Sequence, residues 1–190
     1  MPWKSEESFK ALARLVRERS VQVGSFTLAS GRKSTYYVDA RTTTMSALGL
    51  QLIGEIGLLA IREAGWSPTA IGGLTLGADP VAYAIARASR TAPPEVNAFT
   101  VRKEPKGHGA KRLIEGCFSP GDSVVIVEDV VTTGKSALQA SKAVLEAGGA
   151  VLAILAVVDR EEGGRESIES AGHSMVSLLS LADLGLPPTV

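Results

Sequence analysis

Short apolar runs alternate with amphipathic segments along most of the chain. The runs are nearly continuous, which predicts buried strands, and they cover residues 70–76, 96–101, 124–127, 150–158 and 175–179. Segments between some of them repeat apolar positions at helical spacing and predict helices over residues 45–64, 81–90 and 135–147. Buried strands that alternate with helices are typical of a parallel sheet covered on both faces, so the pattern predicts an α/β fold.

The first part of the chain departs from this alternation. After Ser5, two glutamates and an apolar face at helical spacing predict a helix. Two β-prone runs, residues 26–28 and 35–38, flank Ser30 and Gly31 and predict a β-hairpin.

Together these patterns predict one domain over residues 1–190. A small N-terminal cap over about 1–44 would hold the helix and the hairpin, and an α/β core over about 45–190 would hold the sheet. Ligands bind outside the C-terminal ends of the strands in open α/β sheets, so we expect the cap to pack over that edge.

Composition narrows the class of protein. The chain of 190 residues is 45% hydrophobic and carries 20 basic against 20 acidic side chains, which argues against disorder and against nucleic acid as a partner. No apolar run approaches the roughly 18 residues that span a membrane. The single cysteine, Cys117, and a polar N-terminus without a secretory signal predict a cytoplasmic protein.

The most informative segment is VVIVEDVVTTGKS at residues 124–136. A strand leads to two acids, Glu128 and Asp129, and then to a Thr/Gly-rich stretch that opens a helix. Free N–H groups and the helix dipole bind phosphate at such a point. Adjacent carboxylates would repel phosphate unless they contact ribose hydroxyls or a divalent metal, so the segment predicts a sugar-phosphate site.

The segment has two alternative interpretations besides a sugar-phosphate site. An ATP-binding P-loop requires glycine five residues before Gly134, where Asp129 stands, which excludes it. An ordinary buried strand followed by an N-capped helix would leave the two acids merely at the strand end.

A second segment, VRKEPKGHGAKR, follows a predicted strand. It is cationic and rich in glycine, so it could swing over a ligand, deliver positive charge to a leaving diphosphate and exclude water. The alternative is a solvated charged loop. Within it, His108 is either a general acid for diphosphate or an exposed histidine.

Three further residues could recognise a planar, anionic ligand. Tyr36 and Tyr37 are adjacent on a predicted strand, so their side chains point to opposite faces and at most one can stack on a base directly. Arg160 follows the long strand 150–158, where its planar fork could grip a carboxylate; the alternative is a surface arginine.

Taken together, the motifs resemble one family. The segments FTLASGRKSTYYVDAR, GGLTLGADPVAYAIA, VRKEPKGHGAKRLIEG, VVIVEDVVTTGKS and VVDREEGG occur in the order found in the orotate branch of the type I phosphoribosyltransferases. The resemblance runs from about residue 9 to residue 181. The 124–136 motif is shared by the type I family, whereas the hairpin and the cationic loop are distinctive of the orotate branch.

The resemblance implies a fold and an activity. The fold is a central, mainly parallel sheet flanked by helices, with a small N-terminal hood of a helix and a β-hairpin. The activity is Mg²⁺-dependent transfer of phosphoribosyl from phosphoribosyl diphosphate to orotate, giving orotidine monophosphate and diphosphate in de novo pyrimidine (UMP) biosynthesis. The expected active form is a homodimer in which the cationic loop is shared across subunits.

The resemblance also implies roles for individual residues. Phosphoribosyl diphosphate would contact Arg102, Lys103, Lys106, His108, Glu128, Asp129, Val130, Val131, Thr132, Thr133, Gly134, Lys135 and Ser136. Orotate would contact Tyr36, Tyr37, Thr132 and Arg160. The expected catalytic residues are Lys103, Lys106, His108 and Asp129, and Asp129 is also the expected Mg²⁺ contact, mainly through diphosphate and water.

Two positions depart from the family pattern. Ala29 stands where many bacterial relatives have a lysine before the hairpin Ser-Gly, and residues 77–80 lack a second lysine. The cradle does not discriminate between bases, so one alternative function is transfer of phosphoribosyl to another base, such as adenine or uracil. A second alternative is a nucleotide-sensing regulator that retains this fold. Arg160 and the cationic loop favour an anionic base.

Overall fold

The structure is a computed structural model that describes residues 7–27, 33–104 and 113–187. Six strands of the described chain form one sheet in the order β5–β4–β3–β6–β7–β8. They are β3 (Ala70–Leu74), β4 (Asn97–Val101), β5 (Ile114–Gly116), β6 (Ser123–Val131), β7 (Ala150–Asp159) and β8 (Met175–Leu179). Neighbouring strands are parallel except β4 and β5. The predicted α/β architecture is confirmed.

Helices cover both faces of the sheet. The helices that follow the hairpin in the chain are α2 (Arg41–Thr44), α3 (Ala47–Glu63), α4 (Ala78–Ser89), α5 (Lys135–Glu146) and α6 (Gly164–Ser170). Because side chains alternate along a strand, β6 is buried on both sides. Val125 and Val127 belong to the core that includes α3 and α4, whereas Val124 and Ile126 belong to the core that includes α5.

The N-terminal elements lie outside this sheet, as the pattern predicted. Helix α1 (Glu7–Ser20) leads into an antiparallel hairpin of β1 (Val21–Thr27) and β2 (Lys33–Val38). Helix α1 buries one side, including Leu12 and Val16, in the same core as α3. The helix and hairpin of the predicted hood are therefore present, while the boundary of the hood near residue 44 stays a prediction.

Several element boundaries differ from the sequence prediction. Strand β6 continues to Val131 instead of ending at residue 127, because it pairs with β7 as far as Val131 and Asp159. The two acids of the cradle segment therefore lie within the strand and not after it. The pattern missed α2, α6 and the edge strand β5, which are short and carry little apolar periodicity.

Strand β5 changes the setting of the cationic loop. It returns antiparallel to β4, and the backbone N–H of Arg102 donates to the Leu113 carbonyl oxygen at 2.8 Å, so the described residues on the two sides of the segment pair with each other at the edge of the sheet. In the described part of the chain, no helix is long and apolar enough to cross a membrane.

Candidate active site

The phosphate cradle, residues 130–136, comprises the last residues of β6, the turn that follows and the first residues of α5. Together with Glu128 and Ala137 it lines a cavity of about 290 Å³. Gly134 begins the helix with a φ of 76°, a left-handed conformation that favours glycine. A Cβ at Gly134 would also lie 2.9 Å from the Gly164 carbonyl oxygen, so α6 packs directly on the turn. The predicted cradle residues are thus brought together around one helix N-terminus.

The two acids leave β6 on opposite sides, because they are consecutive residues of a strand. Glu128 is buried and lines the cradle cavity. Its Oε1 makes no hydrogen bond within the described residues. Burial, reinforced by the charge of Asp129, raises the pKa of Glu128 to about 8. Glu128 is therefore expected to be largely protonated at neutral pH when no ligand is bound.

Asp129 faces the loop between β3 and α4. A Cβ at Gly77 would lie 2.4 Å from Asp129 Oδ1, so only glycine lets this loop approach the carboxylate so closely. Asp129 Oδ1 also accepts a hydrogen bond from the Val130 N–H at 2.9 Å. Burial raises the pKa of Asp129, although the backbone N–H donors of Val130 and Asp129 oppose the shift.

Asp79, in the first turn of α4, already accepts two hydrogen bonds. Its Oδ2 accepts from the Thr75 hydroxyl at 2.6 Å and its Oδ1 from the Thr100 hydroxyl at 2.9 Å. Asp129 is therefore the better placed of the two for a cation. Mg²⁺ is commonly held by one or two carboxylates together with substrate phosphates and water, which fits a single half-buried aspartate beside a phosphate cradle.

The hood adds a cation that the sequence did not single out. Arg41 forms a two-pronged ion pair with Asp39, with Nε to Oδ1 at 2.8 Å and Nη2 to Oδ2 at 3.0 Å. The positive charge of Arg41 also acts to lower the pKa of Asp129. Nothing local marks Arg41, because its nearness to Asp129 depends on how the hood packs on the sheet.

Two of the residues expected to bind the base, Tyr36 and Arg160, lie against each other. The backbone N–H of Arg160 donates to the Val131 carbonyl oxygen at 3.0 Å, so the backbone of Arg160 lies next to the residue that precedes Thr132. Its guanidinium carbon lies 5.7 Å from the centre of the Tyr36 ring. Arg160 is 5% exposed, so the alternative of a surface arginine is wrong.

The two tyrosines point to opposite faces, as predicted. Tyr36 is 2% exposed and belongs to the core, whereas Tyr37 is 38% exposed and packs on Phe26. Tyr36 therefore covers Arg160, whereas the ring of Tyr37 is partly exposed on the other face of the hairpin.

Only the base of the cationic loop falls within the described residues. Arg102 forms an ion pair with Glu115 at 3.7 Å, and the Lys103 carbonyl oxygen accepts from the Gln139 side chain of α5 at 3.4 Å. The loop therefore leaves the sheet next to the helix that begins at the cradle. Lys106 and His108 lie outside the described residues.

The chain is similar to orotate phosphoribosyltransferases over nearly its whole length. It is 52% identical over 176 residues to that of Aquifex aeolicus, which covers 91% of this chain and 95% of the relative. The chain belongs to the orotate phosphoribosyltransferase family. The resemblance read from the motifs is therefore confirmed. No family model matches the chain.

Solved structures agree with this family. A Mycobacterium tuberculosis orotate phosphoribosyltransferase in complex with Fe(III) dicitrate superposes with a TM-score of 0.84 at 47% identity, covering 94% of this chain and 99% of that one. A second structure of the same enzyme, in complex with 5-phospho-α-D-ribosyl 1-diphosphate, has a TM-score of 0.78 at 40% identity and covers 95% and 93%. The fold and the family therefore rest on independent comparisons.

We predict that Glu128 makes the protein less stable as pH rises. Its raised pKa means that the folded state holds a proton that the unfolded state has lost, so the free energy of unfolding should fall between about pH 4.5 and about pH 8. Each pKa unit corresponds to about 1.4 kcal/mol. Urea unfolding of the wild type and of Glu128→Gln across this range tests it, since the variant lacks this titration. Parallel pH profiles for the two proteins would contradict the prediction.

We predict that Gly77→Ala weakens the binding of phosphoribosyl diphosphate, the ligand that the cradle is expected to hold. The added methyl group would displace the Asp129 carboxylate, and we expect a loss of about tenfold in affinity. Calorimetric titration with Mg²⁺ present measures it. Leu76→Ala, at an exposed neighbour in the same loop, is the control and should bind like the wild type. Equal affinities for all three proteins would show that the close approach has no role in binding.

Proposed function

We propose that this protein transfers the phosphoribosyl group of phosphoribosyl diphosphate to orotate, giving orotidine monophosphate and diphosphate in the cytoplasmic synthesis of pyrimidine nucleotides. Membership of the family supports the reaction. The observation that favours orotate over other bases is the position of Arg160. Its backbone N–H bonds to Val131, next to Thr132 of the cradle, and its guanidinium lies beneath the ring of Tyr36. An arginine at this point suits a planar base that bears a carboxylate.

The cradle would hold the 5-phosphate of the sugar. Backbone N–H groups at the start of α5 and the positive end of its dipole favour a dianion there, and the cavity of about 290 Å³ opens at that end of the helix. Glu128 lines the same cavity, so its carboxyl group lies where a ribose hydroxyl can contact it. Asp129 would reach the sugar or the cation from the other side of the strand.

The chemical step is displacement at C1 of the ribose. The orotate ring N–H gives up its proton and the nitrogen forms a bond to C1, while the bond from C1 to the diphosphate oxygen breaks. Diphosphate leaves with that electron pair and can accept the proton. The transition state should resemble an oxocarbenium ion. Catalysis would then rest on positioning, on stabilising charge at the leaving group and on excluding water.

The cationic loop would supply charge to the leaving diphosphate. Arg102 and Lys103 begin the loop beside α5, and Lys106 and His108 follow them in the sequence. We propose that Lys103, Lys106 and His108 contact the diphosphate. In a homodimer, which we also propose, this loop would reach the site of the neighbouring subunit.

Mg²⁺ would accompany the diphosphate and neutralise part of its charge. Among the described residues no group of three or more His, Cys, Asp or Glu side chains could hold a metal ion. A cation that arrives with the diphosphate needs no such group, because phosphate oxygens and water supply most of its ligands. Asp129 is the carboxylate proposed to contact it.

We predict that orotate is the base that this enzyme uses. Purified protein would be mixed with phosphoribosyl diphosphate, Mg²⁺ and, separately, orotate, uracil, adenine and hypoxanthine. Only the mixture that contains orotate should react, which would be seen as loss of orotate absorbance and release of diphosphate. Turnover with another base would keep the cradle but overturn the role of Arg160. If no base reacts, a regulator that retains this fold becomes the better interpretation.

We predict that Lys106→Ala lowers turnover far more than it weakens binding of phosphoribosyl diphosphate. Charge on the leaving group is greatest in the transition state, so a loss of about 100-fold in kcat is expected against a change of about threefold in affinity. Lys142→Ala, at an exposed lysine on α5, is the control. Unchanged kcat in Lys106→Ala would remove the catalytic role of the loop lysine.

A further inference from the structure

The turn between β7 and α6 contains a buried acid. Its neighbours Glu161 and Gly163 are exposed, yet the side chain of Glu162 is only 1% exposed. It forms an ion pair with the buried Arg160, with Glu162 Oε1 at 2.7 Å from Arg160 Nη2. A glutamate enclosed in a surface turn loses hydration, so its position calls for a specific partner, which is the guanidinium.

Contacts of Asp159 and Arg165 hold the conformation of this turn. Asp159 Oδ1 accepts from the Glu161 N–H at 2.9 Å, and Asp159 Oδ2 pairs with Arg165 Nη2 at 3.0 Å. Arg165 is in turn bonded to strand β8 through the Met175 carbonyl oxygen at 2.9 Å. Glu161 has a φ of 53°, and this left-handed residue reverses the chain so that the next side chain returns towards Arg160.

Arg160 is therefore held from two directions. The ring of Tyr36 covers its guanidinium at 5.7 Å, and Glu162 contacts Nη2. Nη2 lies within hydrogen-bond distance of Glu162 Oε1, whereas Nε is buried and makes no hydrogen bond with the described residues. The two nitrogens form the edge of the guanidinium that can bind a carboxylate. The ion pair thus fixes the charge at one half of this edge and leaves Nε unused.

We propose that Glu162 is a positioning residue for base recognition, which acts on the substrate only through Arg160. It compensates the charge of the buried guanidinium and holds its orientation, so that Nε and the N–H groups that Glu162 does not use can meet the carboxylate of the base. Because Arg160 is 5% exposed and lies under the Tyr36 ring, the proposal requires Tyr36 to move aside when the base binds. The proposal rests on the proposed function, because it assumes that Arg160 receives the carboxylate of orotate.

The test separates this role from simple stabilisation. Glu162→Gln keeps the shape of the side chain but removes its charge, and it should raise KM for orotate about tenfold while KM for phosphoribosyl diphosphate stays within about twofold. Glu161→Gln, at the exposed neighbour, is the matched control and should behave like the wild type. Equal increases in both KM values, or no change in either, would overturn the proposal.

A double-mutant cycle shows whether Glu162 acts through Arg160. In an Arg160→Gln background, Glu162→Gln should raise KM for orotate by less than about twofold, because the group that it positions is gone. A full second increase would contradict the proposal. If Glu162→Gln does not fold, Glu162→Asp takes its place: it keeps the charge but draws it back by one methylene, and it should also raise KM for orotate selectively.

The same experiments separate this proposal from the proposed function. Wild-type protein that fails to use orotate refutes the function itself. Normal kinetics in Arg160→Gln refute the role of Arg160 and this proposal with it. Impaired Arg160→Gln beside normal Glu162→Gln refutes the positioning role alone.

Discussion

The parallel pairing of β6 with β7 is the constraint on which the site depends. It places Val131 opposite Asp159 and lets the Arg160 N–H bond to the Val131 carbonyl oxygen at 3.0 Å. The strand that leads into the cradle and the strand that leads into Arg160 therefore stop at the same level. Backbone hydrogen bonds fix the spacing between the two halves of the proposed nucleotide site, and both strands are buried deeply enough to hold it.

The hood contributes to the site both an aromatic side chain and a positive charge. Tyr36 comes from the hairpin and packs against the sheet edge over Arg160, and Arg41 brings a positive charge towards Asp129. An acidic strand end beside a phosphate cradle would otherwise repel an anionic ligand. Burial that keeps Glu128 protonated and the cation from the hood both reduce that repulsion.

Local patterns predicted most of the helices and strands, and they predicted the cradle because a strand, a Thr/Gly-rich turn and a helix N-terminus are adjacent in sequence. The opposite directions of Tyr36 and Tyr37 followed from strand geometry in the same way. Tertiary packing decides the rest. Nothing in VVDREEGG shows that Glu162 is buried while Glu161 is exposed, since a reversal of the chain in the turn brings that about. The nearness of Arg41 and Gly77 to Asp129 likewise appears only once hood, loop and strand are packed together.

The central claim is that one sheet edge holds phosphate, ribose and base in register. The most direct measurement is a crystal structure of the protein with orotidine monophosphate. The account predicts the phosphate at the N–H groups of residues 132–136, the ribose hydroxyls near Glu128 and Asp129, and the pyrimidine carboxylate on Arg160 beneath the hairpin. A nucleotide bound with its phosphate in the cradle but its carboxylate directed away from Arg160 would contradict it.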